Sequence, residues 1–256
     1  MVTDPFFYAV AIPAVILLGL AKGGFSGIGV LGVPLMTLAI SPVRAAAIAL
    51  PILIVQDVVS VWAFRKTWNG RLLAMLTPSA AVGIYAGYAL AAYVKPAAVE
   101  LAVGAIPILF GLQRLWVERG HSPAPAKALP AWMGPICGAT AGFTSQVSHA
   151  GGPPFQIYVM PMRLARDVFI GTSAIFFAVV NWMKVPAYIA LGQFSPGNLM
   201  TSGVMLPLAI ASTFAGVVLV KKVDAERFYK IVYGLLVAVG AKLVWDGAHG
   251  LLVLNS

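Results

Sequence analysis

Six stretches of this chain stay apolar for about twenty residues, long enough for a helix to cross the ~30 Å hydrocarbon core of a bilayer. They are 45–64, 72–93, 97–116, 168–190, 199–220 and 228–251. Backbone inside hydrocarbon must satisfy every N–H and C=O internally, which leaves only α-helices and closed β-barrels. Stretches about twice the length of a membrane strand select helices. Composition agrees: 60% of residues are hydrophobic and 10% charged, where a soluble domain carries roughly a quarter charged. The expected fold class is all-α, a polytopic membrane protein whose residues 1–256 form a single transporter-like domain.

The net charge of +9, from 17 Lys and Arg against 8 Asp and Glu, would raise nucleic acid as a partner for a soluble protein. Here the basic residues concentrate in short loops between spans, where lipid headgroups and topology account for them. No nucleic-acid partner is expected. The single Cys137 cannot form an intramolecular disulfide. Met1-Val2-Thr3-Asp4 leads directly into apolar sequence without the basic start of a signal peptide,.

Four further apolar pieces, 6–20, 28–40, 131–141 and 155–162, read as too short to cross alone,. They flank two glycine-rich breaks at corresponding places in the two halves, 21–29 and 142–154. A helix interrupted in hydrocarbon strands polar backbone groups at several kcal/mol each, so a break has to be buried or line a polar cavity. Paired, Gly/Pro-interrupted segments in two halves are a sequence pointer to the binding site of a secondary transporter.

The halves are related elsewhere too. Residues 85–116 align over 214–245 without a gap, with Gly87/Gly216, Gly111/Gly240 and Trp116/Trp245 identical. Upstream, Gly24-Phe25-Ser26 resembles Gly142-Phe143-Thr144, and Arg44 matches Arg166. Two repeats, 1–120 and 130–256, are expected, joined by a cytoplasmic loop 117–130. Each holds one broken or re-entrant helix pair plus three full spans.

Loop charge indicates inversion. If each broken pair returns to its own side, one face collects Arg65, Lys66, Arg71, Arg114, Arg119, Lys127, Arg163, Arg166, Lys221, Lys222, Arg227 and Lys230. The loops of the other face keep only Arg44 and Lys95. Parallel repeats would spread the charge evenly. The excess of Lys and Arg in cytoplasmic loops therefore favours inverted repeats with both termini outside. Trp68, Tyr93, Trp116, Tyr188 and Trp245 fall near span ends, as interfacial anchors do.

The segment 21–34, AKGGFSGIGVLGVP, with Ser41-Pro42-Val43-Arg44-Ala45-Ala46-Ala47-Ile48, resembles the first repeat of the TauE/SafE family of sulfite and organosulfonate exporters. Gly151-Gly152-Pro153-Pro154, Gly171-Thr172-Ser173-Ala174-Ile175-Phe176-Phe177 and Asn181-Trp182-Met183-Lys184 resemble its second. The resemblance implies a multi-pass carrier of the bacterial inner membrane for sulfur-containing anions such as sulfite or sulfoacetate. Lys22-Gly-Gly-Phe-Ser stands where many members have a plainer glycine run.

The breaks have the chemistry an oxyanion needs. Half-helix N-termini present free N–H groups with a partial positive charge, and glycine lets an anion approach the backbone. Gly24, Gly27, Gly151 and Gly152 are candidate backbone contacts, with Gly29 similarly suited. Pro153 and Pro154 are placed to start the next half-helix. Ser26, Gln146 and Ser148 are candidate donors, as are Thr144 and Ser145. The competing role for Gly and Ser is close helix packing.

Three roles fit Lys22: contact with the anion, a pair with Asp57, or reach to the interface. His149, the one histidine in an apolar region, suits either an anion contact or hydrogen-bonded packing. Asn181 and Lys184 share a helix face, as do Asp57 and Ser60, and repeat alignment sets Asp57 near Asn181. Asp57 is the candidate proton-coupling carboxylate or, equally, the partner of a lysine in a structural pair.

The expected function is export of small sulfur-containing anions by alternating access around a midplane site. An anion channel, or a permease for another small anion or metabolite, is the alternative. No HExxH or GxSxG motif and no His/Cys/carboxylate cluster is legible, so neither enzyme activity nor a metal or cofactor is expected. The expected partners are the anion, membrane lipid and another copy of the chain.

Overall fold

Every long apolar stretch within the described residues forms one continuous helix. The computed structural model describes residues 1–91, 93, 96–116, 129–220, 222, 237–238, 241–242, 244–245 and 248–249. The sixth expected span at 228–251, most of loop 117–130, the alignment of 85–116 over 214–245, and the loop residues Lys95, Arg119, Lys127, Lys221, Arg227 and Lys230 lie outside those residues in whole or large part.

The helices are α1 (Pro5–Lys22), α2 (Gly32–Thr37), α3 (Pro42–Phe64), α4 (Gly70–Ala91), α5 (Pro96–Trp116), α6 (Met133–Ser148), α7 (Gly152–Val159), α8 (Arg166–Ala190) and α9 (Pro196–Leu219). Short 3-10 turns lead into α2 at Ile28–Leu31 and out of α7 at Met160–Met162. No strand occurs among the described residues.

Three helix starts share one device. Asp4-Pro5, Ser41-Pro42 and Ser195-Pro196 each set a small polar residue before a proline in the first turn, where the missing N–H costs nothing and φ is already helical. The Asp4 side chain accepts from the Phe6 N–H at 2.9 Å and Ser195 from Asn198 at 3.3 Å. Pro13, Pro51, Pro78, Pro186 and Pro207 sit inside long helices; α8 continues past Pro186 to Ala190.

Two boundaries correct the sequence reading. The piece 6–20 is the body of an 18-residue helix, about 27 Å long at 1.5 Å per residue, so α1 is long enough to cross. The second break is far shorter than 142–154, because α6 runs helically through Gly142 to Ser148. Gly24-Phe25-Ser26 lies in a turn whereas Gly142-Phe143-Thr144 lies in mid-helix, so the matching triplets are not structural counterparts.

Glycines let the helices meet backbone to backbone. A Cβ on Gly83 of α4 would stand 1.8 Å from the Ala139 carbonyl oxygen of α6, and one on Gly23 would stand 2.5 Å from Gly216 of α9. Each short pair thus leans on a long helix of the other half: α6 on α4, and α1 on α9.

Between them, α3 and α8 cross antiparallel. Gly171 at the start of α8 packs on the Thr67 and Phe64 carbonyls at the end of α3, while Tyr188 near the end of α8 packs on Ala46 and Leu50 near the start of α3. One end of the bundle therefore carries Arg65, Lys66, Arg163 and Arg166. At the opposite end Arg44 Nε donates to Asn198 at 3.2 Å and the Val2 N–H to Thr201 at 3.0 Å. Trp68, Tyr93, Trp116 and Trp245 are exposed, as anchors should be, but Tyr188 is 1% exposed. Its place near the span end misled, because the helix end is covered by α3 and the second break.

Candidate functional site

The chain leaves α1 at Lys22 and turns through Gly24 (φ 130°) and Gly27 (φ 100°). Those values lie in backbone space that side chains rarely tolerate. The turn is held by its own backbone, with the Ser26 N–H donating to the Gly24 carbonyl at 2.9 Å. The second break is closed differently. His149 ends α6 in the left-handed region (φ 54°), its N–H donating to the Ser145 carbonyl at 3.1 Å, and α7 restarts with Pro153 and Pro154 in its first turn.

Both breaks line one cavity of about 90 Å³. Lys22, Ser26, Gly27 and Gly29 line it from the first break, and Ser145, His149, Gly152 and Gln156 from the second. A stripe on α8 completes it: Ile170, Ser173, Ala174, Phe177 and Asn181, with Leu53 and Ser60 of α3 opposite. At about 10–15 Å³ of such volume per water, the space suits several waters or one small ion.

The polar groups around it are mutually organised. Lys22 Nζ donates to Asp57 Oδ1 at 2.5 Å, and Asn181 Nδ2 to Asp57 Oδ2 at 2.6 Å. One carboxylate on α3 thus holds two donors that line the cavity. The Lys22 ammonium also lies 5.4 Å from the Phe177 ring centroid, close enough for cation–π attraction, and the Ser60 hydroxyl takes up the Lys22 carbonyl at 2.6 Å.

Deeper, Lys184 is fully buried and donates to the Ser145 carbonyl (3.2 Å), the Ser145 hydroxyl (3.1 Å) and His149 Nδ1 (2.6 Å). His149 Nε2 contacts the Ala46 carbonyl at 2.9 Å. A carbonyl can only accept, so Nε2 carries the proton and Nδ1 receives the lysine. An ammonium has three donors, and Lys184 finds three acceptors, which is how a buried polar group avoids an unmet bond.

Of the residues singled out from sequence, the structure brings Lys22, Ser26, Gly27, Gly29, Ser60, Ser145, His149, Gly152 and Asn181 to the cavity wall. Seven others lie off it. Asp57 holds Lys22 and Asn181 from behind the wall, and the Thr144 hydroxyl bonds back to the Thr140 carbonyl at 2.8 Å. Lys184 stands behind Ser145 and His149. Gln146 packs its Cβ and Cγ on Gly87 of α4. The Ser148 hydroxyl bonds back to the Thr144 carbonyl at 3.2 Å, because α6 is still helical there. A Cβ on Gly151 would lie 2.6 Å from the Ala141 carbonyl oxygen, and one on Gly24 would lie 2.9 Å from Val220, so both serve close packing.

The cavity also recruits Gln156, Ser173 and Phe177, which sequence reasoning passed over. Ser173, Phe177 and Asn181 follow at i, i+4 and i+8 of α8, a stripe legible once the helix is placed. Gln156 stands one turn after Gly152 on α7.

Residues 11–243 match the model of the family described as Sulfite exporter TauE/SafE. None of the curated proteins and none of the solved structures gives a match.

Proposed function

We propose, from the premise that the chain belongs to the TauE/SafE sulfite exporter family, that it exports small sulfur-containing anions such as sulfite, sulfoacetate or related sulfonates across the bacterial inner membrane, with the cavity as its substrate site. The observation that carries this reading is the convergence of both helix breaks on one small cavity that Lys22 and Asn181 face as donors. Hydroxyls, amides and an ammonium set among the apolar side chains of the wall suit the oxygens of a compact oxyanion, and charge-assisted hydrogen bonds are roughly twice as strong as neutral ones.

Transport proceeds by alternating access, one repeat moving against the other. Inversion is supported by the antiparallel crossing of α3 and α8 and by the exchanged packing of α1 on α9 and α6 on α4. The end with Arg65, Lys66, Arg163 and Arg166 faces the cytoplasm. Asp57 couples transport to protons: the substrate anion takes over Lys22 and Asn181 as the carboxylate accepts a proton.

Flux into and out of proteoliposomes, measured for sulfite, sulfoacetate, taurine, thiosulfate and sulfate, tests the substrate class. Saturable counterflow of at least one sulfur anion supports a carrier. Purely voltage-driven, non-saturating current makes it a channel, and no flux of any of them overturns the reading. Asp57→Asn should keep counterflow and lose acceleration by a pH gradient; unchanged pH-driven uptake leaves Asp57 a structural partner of Lys22.

A further inference from the structure

The facing stripes of α3 and α8 continue beyond the cavity, and there they are filled. On α8 the residues Ile170, Ser173, Phe177 and Asn181 line the cavity. The next two on the same face are Lys184 and Tyr188, which are 0% and 1% exposed. On α3, Ser60 and Leu53 line the cavity, while Leu50 and Ala46, one and two turns nearer the helix start, are buried against Tyr188. Spacings of three and four residues keep each series on one helix face. The cavity thus occupies the α3–α8 seam on the side nearer the end bearing Arg65 and Arg166, and buried side chains fill the seam toward the end bearing Arg44 and Asn198.

This filling is tied across three elements. His149, in the second break, bonds the Ala46 carbonyl of α3 through Nε2 and receives Lys184 of α8 at Nδ1. The Tyr188 hydroxyl bonds the Gln146 carbonyl of α6 at 3.3 Å and lies 3.4 Å from His149 Nε2. The Tyr188 ring lies 5.9 Å from that of Phe194 on the outer side. His149 is also one of two non-glycine residues among the described residues with positive φ, a conformation that persists where surrounding structure holds it. The bonds of Lys184 and Tyr188 tie α8 to the second break and break if α8 moves away from it, whereas the His149–Ala46 bond holds the second break to α3.

We propose that Tyr188, latched by His149, is the gate that closes the substrate path toward the Arg44–Asn198 end, and that the latch opens when the carrier exposes its site there. The proposal rests on the cavity being the carrier's site. It requires nothing about which anion is carried.

The test is accessibility of Leu50, which lies beneath the gate. In a Cys137→Ser background, Leu50→Cys is labelled in oriented proteoliposomes with an impermeant thiol reagent added at the face bearing 191–195. With the latch intact, labelling is expected to be slow. His149→Leu, which removes both ring bonds, and Tyr188→Ala should each accelerate it at least tenfold. His149→Gln keeps a donor and an acceptor and should restore slow labelling, a rescue that general loosening of the fold would not give. Variants are compared only where size-exclusion profiles match the parent; Tyr188→Phe, lacking just the hydroxyl, replaces Tyr188→Ala if the latter misfolds and should accelerate labelling about threefold. Fast labelling of Leu50→Cys with the latch intact overturns the gate, as does a rate unchanged by the His149 and Tyr188 variants. Failure of every sulfur anion in the flux assay, with this labelling pattern intact, removes the substrate assignment and leaves the gate.

Discussion

The two helix breaks reach the same cavity by opposite means. The first is a long turn shaped by backbone: Gly24 and Gly27 take φ values of 130° and 100°, and its one charged side chain, Lys22, belongs to the end of α1. The second is short and shaped by side chains: His149 takes the left-handed position itself, with Lys184 and Tyr188 of α8 anchoring it. A site can therefore be symmetric in placement and asymmetric in chemistry, with an ammonium at one break and an imidazole at the other. The glycines that matter differ accordingly. Gly27 is required by its conformation. At Gly152 a Cβ would meet only ordinary contacts, 3.7 Å from Gln156 and 3.8 Å from Val30.

The largest effect that sharpens this contrast is expected at Lys22. Lys22→Met leaves the Asp57 carboxylate, 2% exposed at its side chain, without its ion partner. Removing one member of a buried pair costs about 3–5 kcal/mol; the lysine side chain is 13% exposed, which places the loss toward the lower figure. Thermal unfolding in detergent should show it, and adding Asp57→Asn should recover part of the loss. If the double variant is no more stable than Lys22→Met, the pair is not what Lys22 contributes.

Next comes Gly27→Val. A branched side chain forced to that φ, with Phe110 about 3.1 Å from its Cβ, should destabilise by about 1–3 kcal/mol. His149→Leu should cost about as much by leaving the Lys184 ammonium and the Ala46 carbonyl short of a partner, whereas His149→Asn, tolerant of the left-handed region, should cost less. Equal losses for Leu and Asn would indicate that the second break depends on packing rather than on conformation. The smallest effect belongs to Gly152→Ala, expected to shift stability by less than about 0.5 kcal/mol; a loss like that of Gly27→Val would erase the distinction between the breaks.

Much of this arrangement was legible in the sequence, and the misses have physical reasons. Apolar length placed α3, α4, α5, α8 and α9 within a few residues, because hydrocarbon leaves the backbone little choice, and missed only the length of α1 among the long helices described. The existence of both breaks followed from their glycines. The extent of the second did not, since Gly142 and Gly138 are helical glycines chosen for contact with Ala80 and Leu76 of α4, and a glycine read alone does not tell close packing from a turn. Gln146 and Ser148 were consequently read as free donors when they lie on the last turns of a helix. Repeat alignment set Asp57 near Asn181, and a lysine partner for Asp57 was one of the two roles legible for it; the direct Asp57–Asn181 hydrogen bond was not. The burial of Tyr188 was not, because it depends on which helix covers the end of α8.

The central claim is one anion site built jointly by both breaks, and calorimetric titration of sulfite into purified, monodisperse protein tests it most directly. Lys22→Ala and Gly152→Val alter opposite breaks, one removing a charged donor and the other filling the cavity with two methyl groups. A hydrogen bond to a charged group is worth about 1.5–3 kcal/mol, so Lys22→Ala should weaken binding about ten- to a hundredfold, and Gly152→Val should weaken it at least tenfold. Wild-type affinity in either variant, with folding intact, would contradict a shared site and confine the ligand to a single break or to another part of the molecule.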